Sequence, residues 1–246
     1  MFNYALKIKY IGTNYHGWQR QKNQISIQET IEKKLEKFYQ EHIKLIASGR
    51  TDAGVHALGQ VANFKTSKYT KPEILKKYLN AVLPRDISII NVKQVPLNFN
   101  SRFDAKGKTY LYKIYTEPDP FLYQRGWYVY KKLNFEDLEK GLNLIKNYTN
   151  LTSLAKKGEY LREEIEIREI QIRYSRYIID IEITASHFLR YMVRKIIGHV
   201  VQIGLGSLKL EEFKQIIEAK DPSKGKFLAP PEGLYLKEVY YTDLKL

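Results

Sequence analysis

Ser48-Gly49-Arg50-Thr51-Asp52-Ala53-Gly54-Val55-His56-Ala57 sets one acid among an arginine, two hydroxyls and two glycines. Gly49 and Gly54 permit tight or left-handed backbone and close approach of a ligand, while Arg50 supplies a planar, permanently charged fork suited to a phosphate or a base. A carboxylate in such cationic surroundings stays ionised. That fits a nucleophile or an electrostatic stabiliser better than a general acid, which needs a raised pKa. Taken alone, the same spacing equally describes an Asx-turn in which Asp52 bonds its own backbone.

Tyr110 alternates with Tyr112 and Ile114, so it reads either as an inward strand tyrosine or as an aromatic face for a planar ligand. Arg194 stands beside an apolar helical stripe of Met192, Val193, Ile196 and Ile197. Its stem can snorkel along a surface, or its guanidinium can serve as a buried partner for a carboxylate. Trp18, Gln19 and Gln21 are candidates for RNA contact or for a turn that packs its Trp, and His56 is a weaker candidate of the same kind. His56 and His187 lack a metal-binding spacing beside acids, so no metal site is assigned.

The chain has 41 Lys and Arg against 27 Asp and Glu, a formal charge of +14, which favours a polyanionic partner. Twenty Tyr interleaved with basic residues suit stacking on bases as well as packing. The pairs Lys131-Lys132 and Lys156-Lys157 read as solvated faces that add nonspecific attraction to phosphate. With no cysteine, disulfides, thiolate metal sites and cysteine nucleophiles are excluded. No apolar run is long enough to span a bilayer and no signal segment opens the chain, so a soluble, unprocessed, cytoplasmic protein is expected.

The elements that must position these residues follow from periodicity. Tyr4, Leu6, Ile8 and Tyr10 alternate as a half-buried strand ending at Gly12. Ser26 and Glu29 form a capping box before a helix on Ile27, Ile31, Leu35 and Phe38. A strand at Gln60 to Phe64, a helix carrying Ile74, Tyr78 and Val82, and a strand at Ile87 to Val95 come next. The pattern restarts with a strand at Tyr110 to Ile114 and an Asn134-capped helix on Phe135, Leu138, Leu142 and Ile145. Strands at Ile165 to Tyr174 and Tyr177 to Ala185, the Met192 to Val200 helix, a short helix around Phe213 and a last strand at Leu234 to Tyr241 complete the chain. This predicts an α+β fold of 246 residues with largely antiparallel sheets, divided near Asn100 to Gly107 into halves 1–105 and 106–246.

Gly49-Arg50-Thr51-Asp52-Ala53-Gly54-Val55-His56-Ala57 resembles the catalytic motif of tRNA pseudouridine synthases of the TruA type. Four further segments stand in that family's order: Tyr10 to Gln21, Lys108 to Tyr112, Phe188 to Arg194, and Pro231 to Leu236. The resemblance spans essentially the whole chain. It implies two related halves of RNA-recognition-motif type with joined sheets, an active-site cleft between them, and a homodimer. The expected reaction is isomerisation of uridine to pseudouridine at positions 38, 39 and 40 in the anticodon stem-loop of tRNA, without metal or organic cofactor. It also implies that Asp52 is the nucleophile, that Tyr110 packs on the target base, that Arg194 pairs with the aspartate, and that Arg50 helps extrude the nucleotide. Asn150-Leu151-Thr152-Ser153-Leu154 departs from the family's D-F-x-x-F, and the stretch from there to Arg168 is short, which bears on loop contacts with RNA.

An RNA-binding or chaperone module would satisfy the charge and the aromatics without using Asp52. A phosphate-processing enzyme is disfavoured, because no G-x-x-x-x-G-K-[ST] run and no acidic cluster occur.

Overall fold

The computed structural model describes residues 1–158, 164–242 and 244. Two compact units emerge from its contacts: Met1–Lys106 with Tyr235–Leu246, and Gly107–Leu234. The sequence division gave everything after residue 105 to the second half. The structure returns the final strand to the first unit, because that strand pairs with the strand following the Asp52 loop.

The first unit contains β1 (Phe2–Tyr10), α1 (Ile27–Tyr39), β2 (Ile46–Ala47), β3 (His56–Thr66), α2 (Pro72–Val82) and β4 (Ile87–Val95). β1 lies between β3 and β4, antiparallel to both, and the short β2 also runs antiparallel to β3. The half-buried reading of β1 is corrected: Asn3 and Ala5 are as buried as Tyr4 and Leu6. The cause is a loop laid over the other face. Asn3 Nδ2 donates to the carbonyls of Pro96 (2.8 Å) and Phe99 (3.0 Å), and Asn63 Nδ2 donates to Asn3 Oδ1 at 3.0 Å. Ser101 completes the network by donating its N–H (2.9 Å) and its hydroxyl (2.8 Å) to Asn63 Oδ1. The amides therefore satisfy one another in a dry interior, where an orphaned polar group is costly.

Ser26 caps α1 by accepting the Glu29 N–H at 3.3 Å, and the Glu29 carboxylate pairs with Lys33 at 2.9 Å. Ile27, Ile31, Leu35 and Tyr39 of α1 are buried, with Tyr39 against Phe64 of β3. In α2 the buried face is Leu75 and Leu79, whereas Ile74 is 54% exposed, so the Ile74-Tyr78-Val82 stripe is corrected by one position. Both stripes have helical spacing, and packing selected the leucines.

The second unit contains β5 (Gly107–Tyr115), β6 (Trp127–Tyr128), α3 (Phe135–Ile145), β7 (Ile167–Ser175), β8 (Ile178–Ala185), α4 (Met192–Gly204) and α5 (Leu210–Glu218). β8 pairs antiparallel with both β5 and β7, and β6 runs parallel to the far end of β5. Asn134 caps α3 as its sequence position implies, accepting the Asp137 N–H at 3.3 Å. Each unit is thus α+β with mainly antiparallel pairing. Residues 159–163, in the stretch before Arg168 read as short, lie outside the described residues. No helix among the described residues is long and apolar enough to cross a membrane.

α4 is buried on nearly all sides, Arg194 and Lys195 included. His199 sits deeper still. Its Nδ1–H donates to the Lys195 carbonyl at 2.7 Å, and its ring is held between Phe213 and Phe227. Burial, reinforced by the nearby Lys195 charge, holds its pKa below the ordinary 6.5, although the backbone bond pulls the other way. A depressed histidine contributes stability that is complete above about pH 6.5 and is lost as pH falls through the folded-state pKa. Urea unfolding between about pH 7.5 and 5 is expected to show this loss, and His199→Gln to flatten it.

Candidate active site

The Asp52 loop joins β2 to β3 and is gripped by the turn that follows β1. Gly17 sits at φ +86°, and a Cβ there would lie 2.5 Å from the Thr51 carbonyl oxygen. A Cβ on Gly12 would overlap the Val55 carbonyl. Two glycines thus bring one backbone against another on either side of Asp52, a separation no other residue type allows. Hydrogen bonds complete the clamp. Trp18 N–H donates to Thr51 O (3.1 Å), Gly54 N–H to Tyr15 O (3.4 Å) and Val55 N–H to Asp52 O (3.2 Å).

Side chains lock the loop from below. Tyr10 and Thr51 share a buried hydroxyl bond of 2.8 Å, and burial pushes the Tyr10 phenol well up, so it stays neutral. Ser48 donates to Gln60 Oε1 at 2.7 Å, while Gln60 Nε2 donates to the Gly49 carbonyl at 2.9 Å. Of the two loop glycines only Gly54 takes positive φ, at +78°. Asp52 is half-buried at the crest and Arg50 is exposed beside it. The Asx-turn and the chemical reading differ in what the loop holds rigid. Here the surroundings fix the backbone, and Asp52 itself is half-buried.

His56 and Trp18 are corrected as RNA contacts. His56 is fully buried, its Nδ1 accepts the Gly12 N–H at 3.0 Å, and its ring packs on Tyr235. Trp18 is 2% exposed and packs against Tyr10. Both build the clamp. Gln19 and Gln21 are exposed, and Gln21 donates to the His16 carbonyl at 2.8 Å. The last strand, β9 (Leu234–Tyr240), runs parallel to β3 at His56 and Ala57, directly behind the loop.

In the second unit Tyr110 lies on β5 opposite Ile183, nearly buried, with its ring edge-on to Phe188 at 5.0 Å. Arg194 is 9% exposed, so the snorkelling reading fails. Its Nε donates to the Ala229 carbonyl at 2.8 Å, and its own carbonyl accepts the Ala229 N–H at 3.0 Å. Tyr112, also on β5, donates its hydroxyl to Pro230 O at 2.8 Å, and burial raises its pKa well above the usual phenol. The Ala229-Pro230 strap is thereby tied to both α4 and β5. Among the described residues no three His, Cys, Asp or Glu side chains converge to hold a metal ion.

A family model described as tRNA pseudouridine synthase matches residues 7–104 and 146–242. This chain belongs to the tRNA pseudouridine synthase family. A protein named tRNA pseudouridine synthase A from Aquifex aeolicus is 40% identical over 97% of this chain and 99% of its own length. One of the same name from Acetivibrio thermocellus is 38% identical over 98% of this chain and its own full length, 100%. A Clostridium tetani protein named tRNA pseudouridine synthase A 2 is 40% identical over 98% of this chain. The matched regions include the Asp52 loop, its glycine clamp and Arg194, while Tyr110 falls between them.

Sequence reasoning placed Tyr10, Gly12 and Gly17 in the Tyr10 to Gln21 segment and Gln60 at the start of a strand, but gave none of them a part in holding the Asp52 loop. A Gly-x-x-x-x-Gly-Trp turn after a strand marks close backbone approach, but nothing in the sequence says what is approached. Gly17→Ala should cost about 2 kcal/mol or more, because it combines positive φ with backbone overlap. Gly206→Ala, at φ +71° with nothing within 4 Å, should cost only about 1 kcal/mol. Thermal melts of the two variants should separate them by several degrees.

Proposed function

We propose that this protein converts uridine to pseudouridine in the anticodon stem-loop of tRNA, at positions 38 to 40, with Asp52 as the nucleophile and without a cofactor. The observation that carries the reading is the clamped loop: a half-buried aspartate on backbone fixed from two sides, in a chain of this family. A rigid carboxylate loses little reorganisation energy when positive charge develops beside it, which is the requirement for cleaving a glycosidic bond.

The reaction breaks C1′–N1, turns the freed uracil, and joins C5 to C1′. The proton leaves C5 and N1 gains one, so atoms balance within the nucleotide and solvent, with no change in oxidation state. Nothing in that balance calls for a metal or an electron carrier. One carboxylate suffices because the leaving base is also the incoming nucleophile. The same residue can attack C1′, add to the ring or promote elimination.

The target base must leave its stack before it can react. Tyr110 is assigned to hold it flat, its ring steadied by Phe188, and exposed Arg50 to hold the extruded nucleotide or its phosphate. Arg194 is assigned as the cationic partner of the carboxylate on the strength of its motif, together with the homodimer as working unit. The net charge of +14 supplies long-range attraction for tRNA.

With tRNA tritiated at uridine C5, the wild type is expected to release label and Asp52→Asn to release less than a thousandth as much, while tRNA binding persists. An Asp52→Asn variant that releases label at the wild-type rate would refute the nucleophile assignment. Absence of release by the wild type despite binding would favour the noncatalytic RNA-binding module. Sedimentation of the wild type at twice the chain mass is the result expected for the dimer.

A further inference from the structure

Tyr191 begins α4 in the left-handed region, at φ +66°, a conformation that a bulky residue adopts only when its surroundings impose it. Three cations surround its half-buried ring. Arg190 Cζ lies 5.2 Å from the ring centroid, Arg194 Cζ 5.4 Å and Lys156 Nζ 5.7 Å. These cations come from two chain segments that the backbone ties together, for Lys156 N–H donates to the Arg190 carbonyl at 2.9 Å. A second tie lies one residue back, where buried Lys195 reaches from α4 to donate to Ala155 O at 2.8 Å and to Pro222 O at 3.1 Å. The Tyr191 carbonyl accepts the Lys195 N–H at 2.9 Å. The backbone beneath the cluster is thus held by the fold, which sets where the two exposed side chains start.

We infer that Lys156 and Arg190, organised around the ring of Tyr191, form a subsite for a backbone phosphodiester of the RNA substrate. The inference rests on the reading of the chain as an RNA-modifying enzyme. Lys156 and Arg190 are exposed, while Arg194 is buried and bonded to Ala229, so the first two face solvent and the third anchors the ring from beneath. The quadrupole of the aromatic face draws the cations toward the ring. A phosphate seated between Lys156 and Arg190 can take charge-assisted bonds from both, the arginine fork engaging two of its oxygens. The half-exposed ring offers a flat surface to the adjoining sugar or base.

The test is tRNA binding by filter retention across a salt series, with the full-length chain. Lys156→Ala/Arg190→Ala should weaken Kd about tenfold or more and lower the slope of log K against log salt by roughly 0.7 to 0.9, the share of one phosphate contact. Lys76→Ala/Lys77→Ala removes the same charge from exposed positions on α2 and should leave Kd within about threefold, its slope nearly unchanged. Tyr191→Phe should bind as wild type and Tyr191→Leu should follow the Lys156/Arg190 variant. The exposed pair keeps the test decisive should Tyr191→Leu fold poorly.

Equal shifts in the two double variants, or an unchanged slope, would overturn the subsite. So would inorganic phosphate raising the melting temperature of the wild type but not of the Lys156/Arg190 variant while tRNA affinity is unaltered, because the site would then serve a free anion. Binding is read separately from turnover, so failure of the isomerase reading would appear as absent tritium release with these affinity differences intact.

Discussion

Two backbones can approach as closely as the Asp52 loop and the turn after β1 only where side chains are missing. Gly12 and Gly17 remove them at the two points where Val55 and Thr51 press in. The arrangement around the loop depends on that approach. It brings the Trp18 N–H to Thr51 O, lets Gly12 N–H reach the His56 ring, and buries Trp18 against Tyr10. A residue on a backbone held in this way has its position set by the main chain, which is the preorganisation that the proposed role of Asp52 requires.

The second unit solves a different problem. A helix buried on all sides normally carries apolar residues only, yet α4 places Arg194, Lys195 and His199 inside. Carbonyl oxygens satisfy much of their hydrogen-bonding need: Ala229 for Arg194, Ala155 and Pro222 for Lys195, and Lys195 itself for His199. Burial correspondingly pulls the pKa of Lys195 below that of an ordinary lysine. These bonds fasten the irregular stretches around residues 155, 222 and 229 to one rigid helix. Charged groups are expensive internal supports. What they provide is a direction, because the guanidinium of Arg194 and the backbone of Lys156 are both fixed by them.

How much of this could be read from the sequence depends on the range of the interaction. Periodicity located β4 at its observed ends, and Ser26 and Asn134 marked helix starts because a cap is a contact within three residues. The Gly49 to Ala57 run stood out by its composition. Burial across a sheet did not: the alternation of β1 gives no sign that Asn3 is buried, because its amide finds its partners in Asn63 and in the carbonyls of Pro96 and Phe99, far along the chain. The face of α2 was misplaced by one residue because Ile74-Tyr78 and Leu75-Leu79 have the same spacing, and only the packed sheet distinguishes them. His56 and Trp18, polar or amphipathic residues beside the motif, looked like ligands for RNA and proved to be the loop's support. The return of β9 to the first unit had no local signal at all, since it is settled by pairing with His56 and Ala57.

A division of labour follows from where the fold spends its burial. Asp52 is half-buried and held through its backbone, Tyr110 is almost covered, and Arg194 is bonded on the inside of its unit; such groups can be placed to a fraction of an ångström. Arg50, Arg190 and Lys156 are exposed and carry long, flexible side chains. An enzyme that must first attract a large, flexible polyanion and then act on one base needs both kinds. Exposed cations act at a distance and tolerate misplacement, because Coulomb attraction falls slowly with separation. Bond cleavage at C1′ tolerates almost none, because reactivity depends steeply on the approach of the reacting atoms. Placing the two tasks on different residues lets the basic surface vary without disturbing the clamped loop.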